Sequence, residues 1–176
     1  MWDNLFRRSD ENQEVFEALR QTFVFQPLSK KELGFVQDTV HVRAFKAGET
    51  IFRQGEIGVG MYIILRGALE IFVDHSLEDD KPARSHMVTR LKSGDFLGEL
   101  SLVETSSRRT ATAVAAEESL LVGFFKPDLF EILDRQPATG VKILLRLSEV
   151  LGRRLKQTTL KVTELKDDIR RMNEKV

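Results

Sequence analysis

The residues of this 176-residue chain best suited to chemistry lie in Phe96-Leu97-Gly98-Glu99-Leu100-Ser101-Leu102 and, after six more positions, in Arg109-Thr110-Ala111. The first run reads as the end of a strand that turns through a glycine into a short helix. A helix start leaves its first backbone N–H groups without partners, and with the positive end of the helix dipole those donors attract an anion. Gly98 has no Cβ, so the backbone can come close to whatever binds. Glu99 brings a carboxylate to the same place. An ionised carboxylate only accepts hydrogen bonds, so beside an anion its natural partner is a hydroxyl of the ligand. Arg109 supplies a guanidinium, which holds a phosphate through two parallel N–H···O bonds. An anion cradle, a hydroxyl acceptor and a phosphate clamp together describe a site for a ribose phosphate.

Gly98-Glu99-Leu100-Ser101-Leu102 with Arg109-Thr110-Ala111 resembles the phosphate-binding cassette of the cyclic nucleotide-binding domain, and within it the bacterial catabolite activator family. The resemblance implies that Glu99 binds the ribose 2′-OH and Arg109 pairs with the cyclic phosphate. It also implies that the backbone of Gly98 and Leu100 binds phosphate oxygens and that Thr110 adds a hydroxyl. Arg108 is adjacent, but Arg109 has the matching Thr-Ala after it. Cyclic AMP and cyclic GMP are the ligands to consider. Threonine at position 110 suits either nucleotide and decides little.

The surrounding elements must position these residues. Val15, Phe16, Leu19 and Phe23 recur at helical spacing, which predicts a helix over roughly 11–23, after a polar stretch broken by Trp2, Leu5 and Phe6. Ser29 and Glu32 form a capping box for a second helix running to about Asp38. Short β runs punctuated by glycine follow: Val42–Phe45, Thr50–Phe52, Met61–Leu65, Leu69–Val73, His86–Leu91, Ala111–Ala115 and Leu120–Phe125. Turn signals fall at Gly48, Gly55, Gly67 and Gly94. Asp74–Arg84 is polar and acidic and reads as a solvated hairpin loop; its carboxylates lack an EF-hand spacing. The strand pattern predicts a mainly β fold, a jelly-roll-like barrel with flanking helices. The expected organisation is an N-terminal helical segment over 1–39, the barrel with its cassette and a short helix over 40–136, and a long helix over 137–176.

Pro127 suits the first turn of the short helix, which reaches about Arg135. Pro137 then opens the long one. Gly140 and Gly152 each weaken it by about 1 kcal/mol relative to alanine. Leu144, Ser148, Leu151, Leu155, Thr158, Val162, Leu165, Ile169, Met172 and Val176 are spaced four, three, four, three, and eight of these ten are apolar. That is a coiled-coil seam, and its mix of β-branched residues and leucine favours a parallel two-stranded assembly, here a homodimer. The first turns could equally pack on the chain's own barrel. Thr158 breaks the seam and Thr159 follows it. In the catabolite activator family a threonine-serine pair at the matching places contacts the adenine, so the resemblance implies that Thr158 and Thr159 read the base and tips the ligand towards cyclic AMP. The other reading is that Thr158 only sets helix register.

Composition bounds the rest. Lys+Arg and Asp+Glu are both 27, so no bulk charge points to nucleic acid. The chain has no cysteine, which excludes disulfides, thiolate metal sites and iron–sulfur ligation, and sets it apart from iron–sulfur-sensing relatives. His41, His75 and His86 show no metal-ligand spacing. No apolar run reaches 18 residues and Asp3 stands where a signal peptide would be basic, so a cytoplasmic protein away from membranes is expected. In the transcription-factor relatives the long helix leads into a helix-turn-helix; with none in this sequence, direct DNA binding is not expected, and the output would be an unknown protein partner, a longer parent chain of which this is a part, or nothing beyond ligand sequestration. No nucleophile–base pair or metal set points to an enzyme. The expectation is therefore a dimeric cyclic nucleotide sensor that signals through helix rearrangement. The alternative is a ligand-independent dimeric adapter that keeps the fold.

Overall fold

The computed structural model describes residues 2–75 and 84–173, with side chains from residue 10 onward. The elements run α1 (Trp2–Gln21), α2 (Lys30–Gln37), β1 (His41–Phe45), β2 (Thr50–Phe52), β3 (Gly60–Arg66), β4 (Ala68–His75), β5 (Arg84–Lys92), β6 (Phe96–Leu97), α3 (Leu100–Val103), β7 (Thr112–Ala115), β8 (Ser119–Phe125), α4 (Lys126–Arg135) and α5 (Pro137–Asn173). The eight strands form two antiparallel four-stranded sheets, ordered β1-β8-β3-β6 and β2-β7-β4-β5. This is the expected jelly-roll-like fold with flanking helices. No described helix is long and apolar enough to cross a membrane.

Two boundaries differ from the sequence expectation. Helix α1 begins at Trp2 instead of residue 11 and stops at Gln21. No proline or glycine interrupts residues 2–21, so a polar surface does not prevent the helix from extending toward the N-terminus. The hairpin loop is shorter than Asp74–Arg84. Asp74 pairs with Ser85, and His75 with Arg84, at the ends of β4 and β5. The Gln54 side chain continues that ladder, accepting from the Asp74 N–H at 2.8 Å and donating to the Asp74 carbonyl at 3.3 Å. The remainder of the loop, and Val176 at the end of the seam, lie outside the described residues.

One apolar cluster joins the helices to the β1-β8-β3-β6 sheet, and a second, with Phe45, Ile64, Leu69, Ala113 and Leu121, lies between the two sheets. Leu19 of α1, Val36 of α2, Ile63 of β3, Phe124 of β8, Ile132 of α4 and Leu147 of α5 are buried together in the first. Helix α5 therefore has two parts. Ile143, Leu147 and Val150 bury its root, and Leu144 packs against the same cluster, so the start of the seam faces the chain's own body. From Gly152 onward every described position is exposed, including Leu155, Val162, Leu165, Ile169 and Met172. The two glycines of α5 differ in role. A Cβ at Gly140 would lie 2.5 Å from Leu133 Cδ2, so glycine there lets α4 and α5 pack closely. At Gly152 a Cβ would meet open space.

The α2 N-terminus is tied to α5 through Glu32. The capping box forms: the Glu32 N–H donates to Ser29 Oγ at 3.3 Å and the Ser29 N–H to Glu32 Oε2 at 2.7 Å. Lys142 Nζ of α5 donates to both carboxylate oxygens, at 2.7 and 2.9 Å, and Thr139 Oγ1 donates at 3.2 Å. The Lys142 hydrogen bond first, and then the Ser29 N–H, hold the carboxyl down from its ordinary 4.5 to about 2. A carboxyl with a lowered folded-state pKa stabilises above its unfolded value and loses that contribution as pH falls towards its folded value. Glu32→Gln should lower stability at pH 7 by about 1–2 kcal/mol, and the gap between variant and wild type should close between pH 4.5 and pH 2. Chemical denaturation at pH 7, 4 and 2 checks both points; a gap that is constant with pH would contradict this account.

A buried arginine at a barrel cavity

Strand β6 pairs with β3, Leu97 opposite Tyr62 and Phe96 opposite Ile63. The chain leaves this pairing at Gly98, whose φ of +80° is a left-handed conformation that L side chains rarely adopt. A Cβ there would also lie 2.3 Å from Arg109 Nη1 and 2.9 Å from the Gly60 carbonyl. Gly98 therefore serves two ends: it turns the chain, and it admits the arginine. Glu99 caps α3 through its backbone, without a side-chain cap. Because α3 is a single turn of four residues, its summed dipole is small. The buried positive charge of the site comes from Arg109.

Arg109 is only 7% exposed. Its backbone is fixed against the β2–β3 loop: its N–H donates to the Glu56 carbonyl, and the Gly55 N–H donates to its own carbonyl, both at 2.8 Å. Its Nη1 donates to Ser101 Oγ at 3.3 Å. Its guanidinium carbon lies 4.1 Å from the centroid of the Phe52 ring. No carboxylate among the described residues is within ion-pairing distance, and Nε is buried without a partner. Burial pulls the guanidinium's pKa down, against the opposing influence of Tyr62, Glu56 and Glu99. Arg108, the neighbour, also borders the cavity, but it is exposed and donates to the Gly55 carbonyl at 2.7 Å.

Glu99 is 3% exposed. Its Oε1 pairs with Arg154 Nη1 of α5 at 2.5 Å, and its Oε2 is buried without a partner. Arg154 also lies over the Phe96 ring, 5.6 Å from its centroid. The cassette borders a cavity of about 310 Å³. Gly98, Leu100, Ser101, Arg109, Thr110, Ala111 and Arg154 line one part, and Phe52, Ile71, Leu91 and Phe96 form an apolar part. Two buried polar atoms beside the cavity thus lack partners, one a donor, Arg109 Nε, and one an acceptor, Glu99 Oε2.

The structure thus brings Gly98, Leu100, Ser101, Arg109, Thr110 and Ala111 to the wall of one cavity, with Glu99 buried beside it and paired to the lining Arg154. It does not bring Thr158 and Thr159 into the cavity wall of the same chain. Both are exposed on α5, and Thr159 Oγ1 donates back to the Leu155 carbonyl at 2.9 Å. Sequence reasoning missed three contributors. Arg154 stands one helical turn before Thr158, so its i, i+4 spacing from that residue was a usable signal. Phe52 and Gly58 gave none, because their roles depend on strands distant in sequence.

The family model of the cyclic nucleotide-binding domain matches residues 42–136. The chain belongs to that family, which is defined by ligand binding and not by catalysis. It is 27% identical over 139 residues to the cyclic AMP receptor protein of Thermus thermophilus, covering 79% of this chain and 60% of that protein. It is 32% identical over 115 residues to the cAMP-dependent protein kinase regulatory subunit of Blastocladiella emersonii, covering 65% of this chain and 27% of that protein. The crystal structure of the Thermus thermophilus catabolite activator protein superposes with a TM-score of 0.71 at 26% identity, over 82% of this chain and 63% of that one. The chain therefore spans under two thirds of the length of each.

Gly58 offers a test of the cassette geometry. A Cβ there would lie 2.1 Å from Ser101 Oγ and 3.1 Å from Arg109 Nε. In Gly58→Ala the Ser101 hydroxyl must swing away and release Arg109, so cyclic nucleotide affinity should fall about tenfold, the loss of one charge-assisted hydrogen bond. Titration calorimetry reads the change, and unaltered affinity would show that the Ser101 contact does not orient Arg109.

Proposed function

We propose that this domain binds a cyclic nucleotide, cyclic AMP in preference to cyclic GMP, and acts as a dimeric sensor that signals to a protein partner through α5. The observation that carries the reading is Arg109, a buried cation with no acid partner among the described residues and an unpaired Nε. Such a group is costly unless a ligand anion completes it. In this reading Arg109 holds the cyclic phosphate, with Ser101, Thr110 and the backbone of Gly98 and Leu100 around it. Glu99 accepts from the ribose 2′-OH. Ala111 and the apolar wall face the sugar and base. The two relatives named for cyclic AMP support that nucleotide.

The Glu99–Arg154 pair gives the ligand a handle on α5. A ribose hydroxyl that bonds to Glu99 changes the strength of that pair and so the packing of the helix. The change is a signal only if the ligand binds the two packings with different affinity. The exposed apolar line beyond Gly152 suits a second copy of α5. In such a pair Thr158 and Thr159 can approach a base from the neighbouring helix.

Thermal melts with saturating cyclic AMP and cyclic GMP test the ligand. At 100 times the dissociation constant one site adds about 2.7 kcal/mol, which at roughly 2–4 °C per kcal/mol is a shift of about 5–11 °C. Cyclic AMP should give the larger shift, and Arg109→Ala should abolish it. Nucleotide-free protein that responds to neither compound would instead favour the ligand-independent adapter.

The seam is tested separately by sedimentation. Wild type should sediment as a dimer, and the double variant Leu165→Glu, Ile169→Glu as a monomer with an unchanged barrel. A monomeric wild type at tens of micromolar would remove the dimer from the proposal.

A further inference from the structure

We propose that Phe52 is a positioning residue for the phosphate-binding arginine, using its ring face where a carboxylate would otherwise stand. The inference rests on the cyclic nucleotide reading of the cavity and deepens it.

A buried guanidinium ordinarily needs a charged or hydrogen-bonding partner. Arg109 has one long hydrogen bond, to Ser101, and no carboxylate partner among the described residues. The ring of Phe52 lies under its guanidinium carbon at 4.1 Å, well within the range of cation–π attraction. The geometry of the two candidate partners differs in a way that matters. A carboxylate pairs with the edge of the guanidinium and occupies its N–H donors. An aromatic ring uses the face, and leaves the edge donors for another acceptor. A phosphate also binds through the edge. The ring can therefore hold the cation in place without competing with the ligand, whereas an acid would compete directly.

The ring is itself held. Tyr62 stacks on Phe52 with centroids 6.3 Å apart and planes 26° from parallel, and Phe125 meets Tyr62 edge-on at 5.8 Å. Phe52 sits on β2 and Tyr62 on β3, in different sheets, so the stack bridges the barrel beneath the arginine. Phe52 is only half-buried and lines the cavity, which sets it apart from the fully buried apolar side chains of the core. Packing alone asks only for an apolar side chain at this place, since leucine would fill much of the same volume. An electron-rich face is needed only if it acts on the cation.

The consequence is pre-organisation. With the ring present, the guanidinium is fixed before ligand arrives, and less conformational freedom is lost on binding. Without it, the side chain has to be ordered by the ligand or drawn to solvent. The effect is confined to ligands that carry the anion, because only they use Arg109.

The test replaces Phe52 with leucine, with tyrosine, and with phenylalanine carrying one, two or three ring fluorines, introduced at this codon alone. Fluorination keeps the shape and drains the ring face of electron density. Binding of cyclic AMP and of adenosine, which has the base and sugar but no phosphate, is measured for each by calorimetry. Cyclic AMP affinity should fall roughly 3- to 30-fold in Phe52→Leu, fall stepwise with fluorine count, and be retained in Phe52→Tyr. Adenosine binding should show no trend with fluorine count, because the fluorinated rings keep the shape of the apolar wall and adenosine does not use Arg109. Cyclic AMP affinity that is flat across the fluorinated series would overturn the proposal, as would equal losses for cyclic AMP and adenosine. If Phe52→Leu fails to fold, the fluorinated series still decides. A wild-type protein that binds no cyclic nucleotide fails at the first measurement, and so overturns the underlying reading before any variant is compared.

Discussion

A cation kept inside the barrel, with no ion-paired acid among the described residues, is the constraint on which the rest of this structure turns. Burying a guanidinium costs several kcal/mol unless its charge and its donors are met. Here the charge is met by an aromatic face and the donors only in part, by the Ser101 hydroxyl. Room for the group comes from two glycines, Gly58 and Gly98, where any Cβ would strike Ser101 or the guanidinium. The backbone of Arg109 is clamped to the β2–β3 loop so that its side chain enters the cavity at one place. The barrel is, in this sense, a mould around one charged side chain.

Helix α5 links that side chain's surroundings to the surface. Its root is part of the common core, and its middle reaches the site through Arg154 and Glu99. Glu99 is the more buried partner and Arg154 is half-exposed, so the pair sits at the boundary between dry and wet protein. Interactions at such a boundary respond strongly to what enters the cavity, because displacing water strengthens them and a competing donor weakens them. The distal part leaves Leu155, Val162, Leu165, Ile169 and Met172 exposed on the single chain.

The N-terminal helices restrain the same element from the other side. Glu32 grips Lys142 and Thr139, while Phe23 lies under the guanidinium groups of both Arg146 and Arg153. Glu149 then pairs with those two arginines, at 2.8 and 3.9 Å. The consecutive residues Arg153 and Arg154 thus point to different bodies, one to the α1–α2 connection and one to the cassette. Helix α5 is thus held both at the cassette and at the α1–α2 connection.

The sequence by itself determined what can be read over short range. The capping box at Ser29 and Glu32, the proline-led starts of α4 and α5, the glycine turns and the cassette from Gly98 to Ala111 were all legible, because a few neighbouring residues dictate each of them. The seam on α5 was legible as a period, but which of its residues face solvent was not. Leu144 and Leu155 look alike in sequence, and only the packing of α5 against the core separates them. Arg154, Phe52 and Gly58 became part of the site only through tertiary structure. Each acts on a cassette residue more than 40 positions away in sequence, Arg154 on Glu99, Phe52 on Arg109 and Gly58 on Ser101 and Arg109, across sheets and helices whose pairing no local pattern encodes. Local chemistry could name the arginine that meets an anion; what keeps that arginine buried, uncompensated and aimed is a property of the folded barrel alone.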